Sequence, residues 1–175
     1  LSSWSIGHFY TACDVLDTYQ MGVETFDYYG VGEGIAPNCY IVGNLSDTVP
    51  TRYIPYCSNE YAHSGSASLK LNSAPMANGA YAITPEIDVD NISRLRVQFN
   101  ASVGQYFTSQ YACDLTIAIV TDPTDLATQT NIKTIKVYPK AGLRYEVRFD
   151  EYIGDYNDDF GRYVMFLSYS NMYNT

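Results

Sequence analysis

Three acidic residues at alternate positions, in Glu86-Ile87-Asp88-Val89-Asp90, are the best-spaced candidates for chemistry in this chain. On a strand, residues two apart share a face, so the three carboxylates would line one side. Paired carboxylates about 5 Å apart are what retaining glycoside hydrolysis requires, one as nucleophile and one as acid. The same run also reads as an acidic edge strand, whose charges block edge-to-edge pairing. A second group, Asp155-Tyr156-Asn157-Asp158-Asp159-Phe160-Gly161, begins like a calcium loop, with oxygen ligands at alternate positions. Its glycine falls one residue late and its twelfth position is Phe166, so a polar hairpin loop held by Asx turns is the stronger reading. Nucleophilic catalysis has little to work with. The histidines are His8 and His63, and Gly65-Ser66-Ala67-Ser68 is not a G-x-S-x-G elbow. The cysteines, Cys13, Cys39, Cys57 and Cys113, form no C-x-x-C pair and have no histidine close by, which argues against zinc. Three full pairings are open to them. Cys113 shares an alternating apolar run with Leu115, Ile117 and Ile119, so it reads as a buried free thiol.

The tyrosines are the remaining candidates. There are 18, beside 7 Phe and 1 Trp, so any aromatic recognition surface here must be built from tyrosine. Aromatic faces stack on sugar rings and hydroxyl tips bond to sugar hydroxyls, which suits glycan or protein recognition. Six of these tyrosines fall in residues 28–66, a segment broken by Gly30, Gly32, Gly34, Pro37, Gly43, Pro50, Pro55 and Gly65. A loop-rich stretch that long in a compact domain is usually functional or mobile. Tyr29, Tyr40, Tyr53 and Tyr61 are the expected ligand-contacting residues. The competing reading packs these rings under the loop as a satellite core.

The elements that must position such residues are strands. Leu95, Val97, Phe99 and Ala101 alternate with Arg94, Arg96, Gln98 and Asn100, the mark of a half-buried strand. This phase predicts burial of Leu95, Val97, Phe99, Leu115, Ile117, Ile119, Val147 and Phe149. Further strands are expected at Ala67–Leu71, Ala80–Thr84, Cys113–Thr121, Ile132–Tyr138, Tyr145–Phe149 and Tyr163–Tyr169, with one short helix after Pro123 near Thr124–Ala127. Many strands joined by polar turns point to two packed antiparallel sheets. At 175 residues the chain suits one domain, and the net charge of -9 argues against a grip on nucleic acid or anionic lipid. Charged residues are 17% and apolar ones 46%, a composition that excludes disorder. No run approaches 18 apolar residues, so no membrane insertion is expected. The start, Leu1-Ser2-Ser3-Trp4, has neither an initiator Met nor a signal-peptide pattern and reads as a piece of a longer, processed chain. Residues 1–20 read as a first strand or the tail of an upstream module, and 21–175 as the sandwich domain.

Several segments taken in order carry a family likeness. They are Glu24-Thr25-Phe26-Asp27, Gly30-x-Gly32-x-Gly34-x-x-Pro37, Ser64-Gly65-Ser66-Ala67-Ser68-Leu69, Ala82-Ile83-Thr84-Pro85-x-Ile87-Asp88-Val89 and Thr121-Asp122-Pro123. Together they resemble the cleaved-adhesin and MAM-like jelly-roll domains of surface proteins from gut and oral anaerobic bacteria, over about residues 22–169. The resemblance implies an all-β jelly-roll sandwich related to carbohydrate-binding modules. It implies a non-catalytic, monomeric module of a multidomain chain, secreted or on the outer cell surface, with a glycan or a cell-surface protein as partner. It also implies that Phe26 enters the core and that Glu24 or Asp27 helps hold one structural calcium. Tyr40 stands where the family commonly has tryptophan, and the family's closing strand would follow Asn174 unless residues 1–20 close the sheet. A protein-contacting adhesion or spacer domain is the alternative. A third reading comes from Glu86–Asp90, which resembles the E-I-D-x-E strand of laminarinase-like glycosidases, with the shorter Asp90 in the acid's place.

Overall fold

The computed structural model describes residues 16–17, 24–46, 48–72, 79–89, 92–103, 113–137, 146–154 and 161–170, apart from the side chains of 16, 17, 146–149, 151 and 170. Eleven strands carry the described structure: β1 (Leu16–Asp17), β2 (Ile41–Asn44), β3 (Tyr56–Ser58), β4 (Ser68–Lys70), β5 (Ala80–Ile83), β6 (Ile87–Asp88), β7 (Arg96–Ser102), β8 (Cys113–Val120), β9 (Gln129–Val137), β10 (Glu146–Tyr152) and β11 (Tyr163–Ser170). Among the described residues helical structure is limited to three short 3-10 turns. The fold is an all-β jelly-roll sandwich. Five antiparallel strands in the order β2-β5-β11-β8-β9 form one layer, and the antiparallel pair β10-β7 lies in the other. Two small pairings complete it, antiparallel β3-β4 and parallel β1-β6.

The strand phase is the expected one on β7. Leu95, Val97, Phe99 and Ala101 pack toward the core, while Arg96, Gln98 and Asn100 face solvent. Leu115, Ile117 and Ile119 of β8 are buried, and with Ile92, Val137, Ile153 and Val164 they fill the space between the layers. Phe99 and Phe166 meet there edge to face, ring centroids 5.4 Å apart. The side chains of Val147 and Phe149 lie outside the described residues, as do Asp90 and the run Asp155–Asp159.

Two details go beyond simple alternation. The run Ile132, Ile135, Val137 breaks the period of two, and the reason is a bulge. The β8–β9 register shifts between Ile117 and Ala118, so that Ile117 faces Lys133 and Ala118 faces Asn131. Ile132 is the extra residue, and its insertion lets side chains of both phases reach the same core. The five-stranded layer is also covered on its second face, where Ile83, Ala118, Val120, Met165 and Leu167 are each at most 2% exposed. A central strand covered on both sides is apolar in both phases, as Leu-Thr-Ile-Ala-Ile-Val in β8 is but for Thr116, whose hydroxyl pairs with that of Thr134 at 2.8 Å. Each of the larger side chains here, Ile83, Val120, Met165 and Leu167, contributes roughly 1.5–3 kcal/mol.

Boundaries shift by a few residues where side chains compete for the backbone. The helix expected at Thr124–Ala127 is a 3-10 turn at Leu126–Thr128, capped by Asp125, whose Oδ1 accepts from Ala127 N. Asp122 Oδ1 takes the Thr124 N–H at 2.8 Å and its hydroxyl at 2.7 Å, which holds 122–125 as a turn and delays the helical residues.

Candidate functional site

The segment between β1 and β5 is held by side chains rather than by a long ladder. Gly32 N donates to Cys57 O at 2.9 Å and Cys57 N to Ile35 O at 2.7 Å, laying the glycine-rich loop along β3. Glu24 uses both carboxylate oxygens: Oε1 accepts from Phe26 N at 2.7 Å and Oε2 from the Tyr29 hydroxyl at 3.1 Å. Asp27 reaches 39 residues ahead. Its Oδ1 accepts from Ser66 N at 2.6 Å, from the Ser66 hydroxyl at 3.0 Å and from Ala67 N at 3.0 Å. Those donors hold the Asp27 carboxyl below the usual carboxylate range. Gly65 is required at this staple. Its φ is +69°, and a Cβ would lie 2.6 Å from Asp27 Cγ.

Among the described residues three non-glycines adopt positive φ, Phe26 (60°), Cys39 (67°) and Tyr61 (59°), all in this one segment. Such strain persists only where surrounding contacts over-determine it. At Phe26 they do: Glu24 takes its N–H, and its ring meets Tyr40 edge to face at 6.2 Å. Cys39 is disulfide-bonded, while Cys57 and Cys113 are free thiols. Cys57 is fully buried, and burial followed by the nearby Glu24 charge pushes its thiol up to about 11. Burial, Glu24's charge and its hydrogen bond push the Tyr29 phenol up to about 12, and burial raises Tyr40 further.

The structure places the four expected tyrosines in two settings. Tyr29 and Tyr40 join Glu24, Phe26 and Cys57 in a small core under the loop, each half-buried and held by a hydrogen bond or ring contact. Tyr53 lies elsewhere, with the Arg52 guanidinium 4.9 Å above its ring and its carbonyl accepting from Asn44 Nδ2 at 3.2 Å. Tyr61 is half-buried on the strained turn after β3. The most exposed aromatic of the segment is Tyr28, 92% in solvent, followed along the chain by exposed Val31 and Ile35. Sequence alone gave no ground for preferring Tyr28 over Tyr29.

For the calcium that the resemblance implies, Glu24 and Asp27 are both present; the oxygens described above serve backbone and hydroxyl donors, and among the described residues no three His, Cys, Asp or Glu groups converge. Their work here is to staple the loop. Asp27→Ala is therefore expected to lower the Tm at neutral pH. Because the native carboxyl is depressed, this stabilisation is present above the unfolded value of about 4 and is lost as pH falls through the native one. Thermal unfolding of the two proteins from pH 7 to pH 3 checks this: the gap in Tm should narrow with acid, and a constant gap would contradict it.

A second grouping lies on the outer face of β7 and β10. The register pairs Arg96 with Tyr152 and Gln98 with Asp150. Arg96 grips Asp150 with its fork, Nε to Oδ1 and Nη2 to Oδ2 at 2.7 Å, and Gln98 Nε2 donates to the same Oδ1 at 3.0 Å. The Arg96 guanidinium sits 5.3 Å from the Tyr152 ring, which is 63% exposed. Beside this row a depression of about 340 Å³ is lined by His63, Gln98, Phe99 and Asn100. Of the acidic run, Glu86 and Asp88 are exposed at either side of Ile87, and neither borders that depression.

No protein-family profile matches the chain, and no curated protein matches it by sequence. Among solved structures it is similar to the K2 cleaved adhesin domain of Lys-gingipain, with a TM-score of 0.60 and 18% identity over 85% of this chain and 89% of that one. At that identity the likeness is one of fold: the chain has an adhesin-like β-sandwich.

Proposed function

We propose that this domain is a non-catalytic recognition module of a larger secreted or surface protein, and that its ligand is a carbohydrate. The observation that carries the reading is the stapled segment 24–67. Three strained residues and the Glu24 and Asp27 hydrogen bonds fix a loop that holds Tyr28 out in solvent. Strain of this kind gathers at ligand clamps, and loops on a rigid scaffold are where recognition residues sit. The similarity to an adhesin domain supports the recognition role. Tyr28, Tyr53 and Tyr61 are the proposed ring contacts from this segment, while Tyr29 and Tyr40 pack with Glu24 and Phe26 under the loop that carries Tyr28. Calcium has no part in the reading, and neither do the carboxylates of residues 86–90.

Single-module glycan affinities are weak, so a Kd on the order of 10 μM to 1 mM is expected, about -7 to -4 kcal/mol. A glycan array followed by titration of wild type, Tyr28→Ala and Tyr53→Ala tests the proposal. Weakened binding at unchanged Tm is the expected result; a wild type that retains no glycan would end the carbohydrate reading. One observation favours a protein partner instead. Tyr28, Val31 and Ile35 are exposed along one loop, and an aromatic with two aliphatics is the composition of a protein-contact anchor. Binding to a cell-surface protein that Val31→Asp abolishes would shift the reading there.

A further inference from the structure

The geometry points to the outer face of β7 and β10 as the saccharide subsite, with a neutral oligosaccharide lying from the depression at His63, Gln98 and Asn100 toward the Tyr152 ring. This rests on the carbohydrate reading above and adds a subsite to the loop contacts proposed there. The depression, about 340 Å³, is at the lower end of the range for small-ligand sites, roughly 300–1,000 Å³. Two carboxamides and an imidazole border it, and such groups both donate to and accept from hydroxyls. Gln98 is already oriented, since Asp150 takes its Nε2. The neighbouring pair Arg96–Asp150 is bidentate and internally neutralised, so this pair offers no surplus charge to select an anionic ligand.

Tyr152 supplies the stacking surface. It lies opposite Arg96, two ladder positions from the Gln98–Asp150 pair, or roughly 7 Å along the strands. That is of the order of one sugar residue, so one ring fits the depression while the next covers the phenol. The far wall is preorganised as well. His63 belongs to the loop between β3 and β4, which is fixed by Asp27 through Ser66 and Ala67 and by Ser68 Oγ donating to Glu60 O at 2.9 Å. Residues already held in place lose little freedom on binding, which favours even a small contact.

The test uses neutral oligosaccharides of two to four residues, from glucans, galactans, mannans and chitin, titrated into wild type, Tyr152→Ala and Asn100→Ala. Both substitutions are on exposed positions, and equal Tm values confirm that the fold is kept. Affinity for the bound oligosaccharide should fall at least tenfold in each variant. Wild-type binding that both variants match within twofold would overturn this site and leave the carbohydrate reading standing. A wild type that ignores every sugar overturns the carbohydrate reading, and this site with it. Retention instead of an extended peptide, insensitive to Tyr152→Ala, would show strand addition at β7 and overturn the assignment too.

Discussion

Replacing Gly161 with alanine is expected to destabilise the domain by about 3 kcal/mol or more. Gly161 has φ +95°, a conformation that costs a residue with a Cβ roughly 1–2 kcal/mol. Its Cβ would also collide with backbone, landing 2.6 Å from the Val120 carbonyl carbon and still closer to the Val120 oxygen and Thr121 Cα. Val120 is fully buried at the end of β8 and opposite Tyr163 of β11, so the obstacle is the paired backbone of two interior strands, which yields little. Overpacking of this kind adds about 1–3 kcal/mol. The comparison that isolates the collision is Gly154→Ala. Gly154 also has positive φ, 84°, but its Cβ would meet its nearest neighbour, Tyr152 O, only at 4.0 Å. Urea unfolding should show Gly161→Ala losing at least twice as much as Gly154→Ala. Equal losses would mean that the backbone around Val120 yields.

Stability should hold from pH 7 to about 9 and then fall steeply. The small core under the loop keeps protons that the unfolded chain releases. Cys57 titrates at about 11 in the native state against 9.0 unfolded, and Tyr29 at about 12 against 10.0. A raised native value favours folding fully below the unfolded value, and that contribution disappears as pH climbs through the native one. Two pH units at Cys57 correspond to roughly 3 kcal/mol as an upper figure. Tyr29 is half in solvent, so its share is smaller than its shift suggests. Tyr40 acts in the same direction. Urea unfolding at intervals from pH 7 to pH 12 should show the decline, with Cys57→Ala removing much of the part between pH 9 and 11. A flat wild-type profile to pH 11 would contradict the packing described around Glu24.

Much of the sandwich was legible in the sequence because half-buried strands print their phase directly, as Leu95, Val97 and Phe99 do. The doubly covered layer was harder to see. Ala118 and Val120 follow the alternate phase, and a sequence shows that both phases are apolar without showing what lies over each. The loop site was legible in composition but not in role. Asp27 bonds to residues 39 positions away, a partnership that no local spacing reveals, although a glycine in the Ser64–Ser68 run was a hint of close approach. Gln98 and Asn100 were read only as the solvent side of an alternation. They become candidates once Tyr152, Asp150 and His63 arrive beside them from distant parts of the chain.

The order β2-β5-β11-β8-β9 also has a consequence in time. Strand β11 is made after every other described strand, yet it lies between β5 and β8, and its Val164 bonds with Thr84 across 80 residues of chain. Until it emerges from the ribosome, the main layer has no middle, and its two halves have only open edges to offer each other. Long-range closure of this kind is slow. Among the described strands, pairing between the two halves of the main layer therefore waits for β11.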